Sequence, residues 1–377
     1  MIELTEEQQI IRDSVTRYLD ENYSFDRRQQ QIGSADGFDP DQWQTFAELG
    51  WLGMSFPEEC GGAGGSWVDA AIIAEQLGRT LVRSPYLSSV IGAGTVLLSV
   101  AEPQKTKYLT GIAEGQTLMA CAFDEKALAS KLASGDPTHA AKISDGFALT
   151  GVKSLVPYAK LADHFIVSAL LDDQLRLFLV PAQMEEVEVT PYKMYDGSRA
   201  GDLALLGVAL DRDSLLPGDA APVIRAVADN ESALLCAEAA GIMWSVQEQT
   251  LEYLKTREQF GQKLGEFQAL QHRLVDMYVQ CELAQSLAWD AVDAVAHETD
   301  PSSRSRRVSA AKSYIGEVGR TVGKESVQLH GGIGMTDEVP IGHYLKRLTT
   351  IDHLHGSSAE HRKRFRALDD FAPQSLE

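Results

Sequence analysis

The chain has 377 residues, 44% of them apolar, which suffices for a sizeable core and, by length, for two or three domains. A formal net charge of −20 argues against nucleic acid or an anionic membrane surface as the main partner, so a phosphate-bearing ligand must be met by local groups. The cysteines Cys60, Cys121, Cys236 and Cys281 are scattered without metal-ligand spacing and fit a reduced, cytoplasmic protein that holds no metal. The charged, amphipathic start does not read as a signal peptide. The longest weakly polar run, Leu87 to Ala101, is too short to span a bilayer, which takes about 20 apolar residues.

Residues 1 to about 117 read as helical. Thr5 and Gln8 form a capping box, with Leu4 as a staple, and Ile10, Ile11, Val15 and Leu19 recur at helical spacing. A second helix carries Trp43, Phe46 and Leu49 and stops at Gly50. The glycine cluster Gly61 to Gly65 marks a loop. A third helix begins near Trp67 and carries Ile72, Ile73, Leu77 and Leu81.

From 118 to about 218 the period drops to two. Phe147–Thr150, His164–Ser168, Leu175–Val180 and Val187–Thr190 read as strands, with Asp145-Gly146 and Asp172-Asp173-Gln174 as turn-like separators. This is the pattern of a small antiparallel barrel or sandwich. After Ala221 the helices return: Ala226 to Thr256, Phe267 to His297, Ser302 to Leu329, Ile341 to about Ile351 and Ser358 to Asp369. Short links between long helices favour antiparallel packing in a bundle. The expected fold is a multidomain α+β protein: a helical domain (1–117), a middle β domain (118–218) and a four-helix-bundle-like domain (219–377).

Two stretches in the last region carry chemistry. The first, Arg257-Glu258-Gln259-Phe260-Gly261-Gln262-Lys263-Leu264-Gly265-Glu266-Phe267-Gln268, sits in the break between two long helices. Arginine offers a planar fork of donors suited to phosphate, and glycines let backbone approach a ligand. On spacing alone the stretch equally suits a helix corner with a surface arginine. The second, Gln328-Leu329-His330-Gly331-Gly332-Ile333-Gly334-Met335, ends a helix on glycines, which suits either a backbone cradle for phosphate or an ordinary helix terminus.

Taken together, with Leu4-Thr5-Glu6-Glu7-Gln8, Leu49-Gly50-Trp51-Leu52-Gly53, Pro57-Glu58-Glu59-Cys60-Gly61-Gly62 and Gly151-Val152-Lys153 in order before them, the chain resembles the acyl-CoA dehydrogenase family over nearly its whole length. The resemblance implies an FAD-dependent enzyme that oxidises an acyl-CoA thioester to the 2,3-enoyl-CoA. A glutamate takes the α proton, the β hydrogen leaves as hydride to flavin N5, and an electron-transfer flavoprotein accepts the electrons. It assigns FAD contacts to Arg257, Gln259, Phe260, Gln268, Gln328, Gly331 and Gly332, mostly toward a neighbouring subunit's cofactor. A homo- or hetero-oligomer, dimer or tetramer, is thereby implied. The Gly61–Gly65 loop is expected near the acyl end of the substrate pocket.

The base departs from the common pattern. Where most relatives place a glutamate before a glycine, this chain has His355 before Gly356. Relatives that carry the glutamate on the helix leading to the arginine point, by counting back from Arg257, to Glu231. A glutamate near a helix start also suits the dipole without any catalytic role. On an unbroken helix Glu231 and Arg257 stand about 39 Å apart at 1.5 Å per residue, too far to serve one reacting centre.

Two further departures concern the flavin ring. Relatives present an acidic-Pro-Gly-Ala-Gly-Ser loop near the first strand, where this chain has Cys121-Ala122-Phe123-Asp124-Glu125-Lys126. Relatives have Trp-Ile-Thr after Gly-x-Lys, where this chain has Leu155-Val156-Pro157, and proline has no N–H to donate. This pattern resembles the smaller subunits of two-component dehydrogenases acting on dicarboxylyl-CoA or steroid side-chain CoA esters. Three readings follow: an active dehydrogenase with Glu231 as base, a cofactor-completing subunit of a hetero-oligomer, or an oxygen-using oxidase.

Overall fold

The structure, a computed structural model, describes residues 4–125 and 137–368. Helices come first: α1 (Glu6–Asn22), α2 (Phe25–Gly33), α3 (Pro40–Glu48), α4 (Trp67–Arg79), then a π-helical segment over Tyr86–Ala93 that runs into α5 (Gly94–Leu98), and α6 (Gln104–Ala113). A sheet follows: β1 (Met119–Ala122), β2 (His139–Ile143), β3 (Gly146–Pro157), β4 (His164–Leu171), β5 (Gln174–Pro181), β6 (Val187–Lys193), β7 (Arg199–Asp211) and β8 (Leu215–Leu216). Helices then return: α7 (Ala220–Thr256), a hairpin of β9 (Glu258–Gln259) and β10 (Gln262–Lys263), α8 (Gln268–His297), α9 (Pro301–His330), α10 (Ile341–His353) and α11 (Ser358–Ala367). The order helices, strands, helices is the expected one. Lys126 and Asp369 lie outside the described residues. No described helix is long and apolar enough to cross a membrane.

The chain divides into two compact units, and α7 contributes to both. One unit comprises Met1–Gln29, Trp67–Val82 and Ser232–Glu377. Here the Thr5 capping box forms as read, with Gln8 N donating to Thr5 Oγ1 and Thr5 N to Gln8 Oε1. The α7 residues 232–243 are buried on every face, so this part of the helix is a core element rather than an amphipathic surface helix. Two glycines let α4 lie directly on it. A Cβ at Gly78 would stand 2.3 Å from the Glu238 carbonyl oxygen, and one at Gly241 would stand 2.1 Å from that of Glu75. Beside this crossing a bidentate pair is buried, with Arg347 Nε and Nη2 donating to Glu238 Oε1 and Oε2 at 2.7 and 2.6 Å.

Leu81, expected in the third helix, lies beyond it. The α4 helix closes with Leu81 at φ 58°, whose N–H meets the Gly78 carbonyl while that of Val82 meets Leu77. This is a left-handed helix cap built without glycine, and it tucks the Leu81 side chain inward.

The other unit comprises Gln30–Ser66 and Arg83–Glu231 and holds the sheet, in the order β6-β7-β3-β2-β4-β5-β8 with β1 on β4. Phe147, Leu149, Phe165, Val167, Phe178, Val180, Leu203 and Leu205 form much of its apolar core. The sheet is mixed, not wholly antiparallel as expected. β1 runs parallel to β4, Met119 facing His164, and His139 of β2 continues that edge opposite Leu170. The reason is connectivity. β1 enters straight from the helical region and reaches β4 only after the β2–β3 hairpin, a connection long enough for parallel pairing.

The Gly61–Gly65 loop folds back on its own entry. Gly62 N donates to Pro57 O, Gly64 N to Phe56 O, and a Cβ at Gly62 would stand 2.1 Å from Phe56 O. Glycine is therefore needed there for close backbone approach.

Candidate active site

The sequence pattern puts Glu231 near a helix start, but in the structure the helix begins well before it. α7 begins at Ala220, with Asp219 Oδ1 accepting from Ala221 N, and Pro222 sits in the first turn, where a missing N–H costs nothing. Glu231 is thus about three turns in, beyond the reach of the helix dipole. It is only 6% exposed. Its carboxylate lies against the π-helical segment, where a Cβ built on Gly92 would stand 2.4 Å from Glu231 Oε1. Burial first, and the Glu231 charge second, push the Cys121 thiol of β1 well above its usual range. Neighbouring bonds fix this corner. Asn230 Nδ2 donates to Thr95 Oγ1 at 2.9 Å, Thr95 Oγ1 donates to Ile91 O at 2.7 Å, and Met119 N donates to Ser89 Oγ at 3.1 Å.

The strand that should face a flavin ring is satisfied within the chain. Leu155 stands at φ 55° in an irregularity of the β3–β7 pairing, and its N–H donates to Tyr192 Oη at 3.2 Å. Tyr192 Oη in turn donates to Asp202 Oδ1 at 3.1 Å. Burial, then the Asp202 charge, lift that phenol to about 12, so it stays protonated. Pro157 offers no donor.

Upstream, Ser154 N donates to Asp124 O. Glu125 Oε1 accepts from the fully buried Lys153 Nζ at 2.6 Å and from Thr138 N at 2.9 Å; Lys153 also reaches Ser168 Oγ at 3.0 Å. Burial alone would raise the Glu125 carboxyl, but the bonds from Lys153 and Thr138 outweigh it and hold it below its ordinary value. Burial also lowers the Lys153 ammonium, against the pull of Glu125 and Asp124.

The expected cofactor contacts are brought together elsewhere, in the unit that holds the long helices. Phe260 at φ 56° and Gly261 at φ 84° form the tight turn between β9 and β10, the geometry of a type I′ hairpin. Phe260 is 92% exposed, unusual for an aromatic in such a turn. Arg257, Gln259, Gln268, Gln328, Gly331 and Gly332 are all exposed. The Arg257 guanidinium has no hydrogen-bond or ion-pair partner among the described residues. Arg257 N donates to Tyr253 O, and the Tyr253 ring stacks on His330 at 4.4 Å, which joins the hairpin end of α7 to the glycine end of α9. Gly331 needs to be glycine for its conformation (φ 66°, ψ −143°). At Gly332 the fold asks for nothing: a Cβ would meet open space, so the bare backbone is available to a ligand.

His355, in the usual glutamate's place, is exposed on the turn between α10 and α11 at φ 56°. That turn is fastened from beneath. Lys312 Nζ donates to Ile351 O at 2.7 Å, Asp352 O at 3.2 Å and Gly356 O at 3.1 Å, and His361 Nε2 meets His355 O at 3.0 Å.

Sequence reading missed Gly92 and the Tyr192–Asp202 pair. A glycine inside the apolar run Leu87–Ala101 was a signal, since helices disfavour glycine without a packing reason. Tyr192 gave none, because tyrosine is ordinary in a strand.

Two family models match the chain: "Acyl-CoA dehydrogenase, N-terminal domain" over residues 5–116 and "Acyl-CoA dehydrogenase, C-terminal domain" over 221–366, together about two thirds of it. The chain is 29% identical over 365 residues to the acyl-CoA dehydrogenase IpdE2 of Mycolicibacterium smegmatis, covering 97% of this chain and 99% of that one. Among solved structures it resembles a variant of the Tcur3481–Tcur3483 steroid ACAD (TM-score 0.86, 27% identity, 96% and 97% of the two chains). It also resembles the ChsE4–ChsE5 complex of Mycobacterium tuberculosis (TM-score 0.85, 26% identity, 96% of each chain).

Proposed function

This chain belongs to the acyl-CoA dehydrogenase family, an FAD-dependent enzyme family, and on that footing we propose that it works as one subunit of an oligomer that desaturates an acyl-CoA thioester between the α and β carbons. The observation that carries this reading is that the Tyr253–His330 stack joins two exposed helix ends, one carrying an Arg257 guanidinium with no partner among the described residues and the other the bare Gly331-Gly332 backbone. Such a set suits the phosphates and ribose of a dinucleotide held across a subunit boundary. Gln259, Phe260, Gln268 and Gln328 complete it. When bound, FAD supplies the hydride acceptor for the β hydrogen. Glu231 is the base for the α proton. A buried carboxylate confined by its neighbours can be held in place against an α carbon for proton abstraction beside a thioester. His355 brings no negative charge to that task. The electrons pass on to an electron-transfer flavoprotein.

A second reading rests on the ring-side strand. Leu155 N–H is used by Tyr192, Ser154 N–H by Asp124, and Pro157 has none. These residues do not fit as a self-contained seat for the flavin ring. The reading that follows is a cofactor-completing subunit, and the steroid ACAD and ChsE4–ChsE5 relatives are two-chain assemblies by name.

The chain purified alone separates the two. A yellow protein bleached by an acyl-CoA, and no longer bleached after Glu231→Gln, supports the active subunit. A colourless chain that raises flavin content only with a partner chain supports the completing subunit.

A further inference from the structure

The corner occupied by Glu231 has one feature that its helix alone does not explain. Gly92 is not in a left-handed conformation, so its backbone accepts alanine without strain. The atoms that an added Cβ would crowd are Glu231 Oε1 at 2.4 Å and Cδ at 3.1 Å; the next atom, Leu87 O, is at an ordinary 3.6 Å. The missing side chain is therefore not required by backbone packing. It leaves a space the size of a methyl group, and the Glu231 carboxylate fills it.

The walls of that space are themselves fixed. Gly92 lies in the π-helical segment Tyr86–Ala93, a local widening of the helix of a kind that recurs at functional sites. Thr95 ties that segment to Asn230, the residue beside Glu231, and Ser89 ties it to β1 at Met119. Cys121, two residues further along β1, feels the Glu231 charge. The carboxylate thus sits in a seam at a helix glycine, with its charge felt by a strand cysteine.

We propose that Gly92 is a positioning residue: by having no side chain it sets where the Glu231 carboxylate sits, and so where the base meets the substrate's α carbon. This rests on Glu231 being the base.

Gly92→Ala is the test, because the group it displaces is the tip of a flexible side chain and the fold has no other reason to fail. Two measurements are made on wild type, Gly92→Ala, Glu231→Gln and the double variant. The first is the pH dependence of Cys121 alkylation, followed by peptide mass spectrometry, which needs no flavin. Moving the carboxylate out of the seam, or neutralising it, is expected to shift Cys121 alkylation to lower pH in both single variants. The second is flavin reduction by an acyl-CoA in the flavin-loaded oligomer. A base misplaced by about 1 Å is expected to cost on the order of a hundredfold in Gly92→Ala. The double variant is expected to be no slower than Glu231→Gln.

Wild-type Cys121 alkylation in Gly92→Ala, with the Glu231→Gln curve shifted, overturns the proposal. So does wild-type flavin reduction by Gly92→Ala when Glu231→Gln is inactive. If Glu231→Gln itself reduces flavin at the wild-type rate, the base lies elsewhere, and that failure is visible separately from the alkylation result.

Discussion

Arg257 and two histidines illustrate how single side chains divide between function and stability. The Arg257 guanidinium spends none of its donors on the described residues, so its removal is expected to leave the fold intact. Arg257→Ala is expected to weaken flavin binding by about 1.5–3 kcal/mol, the worth of a charge-assisted contact, which is roughly ten- to a hundredfold. The ratio of flavin to protein absorbance after gel filtration at low FAD measures it, and an unchanged ratio removes Arg257 from the cofactor set.

His343 and His361 act oppositely, through the interior. Burial first, then the charge of Arg28, lowers His343 to about 4; burial, then Lys312, lowers His361 to about 4. Both stay neutral in the folded chain at pH values where an unfolded histidine, near 6.5, takes up a proton. Their contribution is complete above pH 6.5 and is lost as pH falls from there toward 4, by about 3 kcal/mol each at most. The urea midpoint should therefore drop between pH 7 and pH 5, and His361→Gln should flatten that slope. A slope equal to the wild type's would show that His361 does not contribute.

At the scale of elements, α4 lies on α7 through Gly78 and Gly241, and beside that crossing Arg347 of α10 pairs with Glu238 of α7. A buried pair is poor evidence of net stabilisation, but removing one partner strands the other. Arg347→Met is expected to cost about 3–5 kcal/mol, read as a lower thermal or urea midpoint, whereas Arg347→Met with Glu238→Leu should recover much of it. A single variant as stable as wild type would mean that water reaches Glu238.

This crossing also marks the boundary of what the sequence disclosed about elements. Thr5 with Gln8, and Gly50 after Leu49, announced helix ends because caps are local chemistry. The first six residues of α7 escaped notice because Pro222 reads as a breaker, although in a first turn it is harmless. The parallel seat of β1 on β4 joins residues about 45 apart along the chain, Met119 with His164, and no local period encodes it.

At the scale of the whole molecule, α8 carries a face that is exposed among the described residues. Val275, Tyr278, Val279 and Leu283 recur at helical spacing and are each roughly half exposed. A row of this kind on a protein of net charge −20 suits burial against another subunit. Val279→Asp is expected to shift the chain toward smaller species in light scattering at fixed concentration, with helix content unchanged. The same oligomer mass in wild type and variant would move the interface away from α8.

The candidate site was legible in unequal halves. The Arg257 and Gln328 stretches, the proposed cofactor contacts, declared themselves because each is contiguous in sequence. The Glu231 corner depends on Gly92, nearly 140 residues earlier, and the closed ring-side strand on Tyr192 and Asp202. Each is an unremarkable residue type that acquires its role only when the fold brings it near.

The Phe260 hairpin has a consequence for how such a protein behaves on dilution. If the cofactor is gripped by groups that project from one chain onto another, its retention obeys mass action in the protein itself. Lowering the concentration of subunits then releases flavin even while free FAD is held constant, and adding flavin draws subunits together. A nearly bare phenylalanine at the tip of that hairpin would be shielded and exposed in step with the same equilibrium, so that loss of colour, dissociation and stickiness arrive as one event.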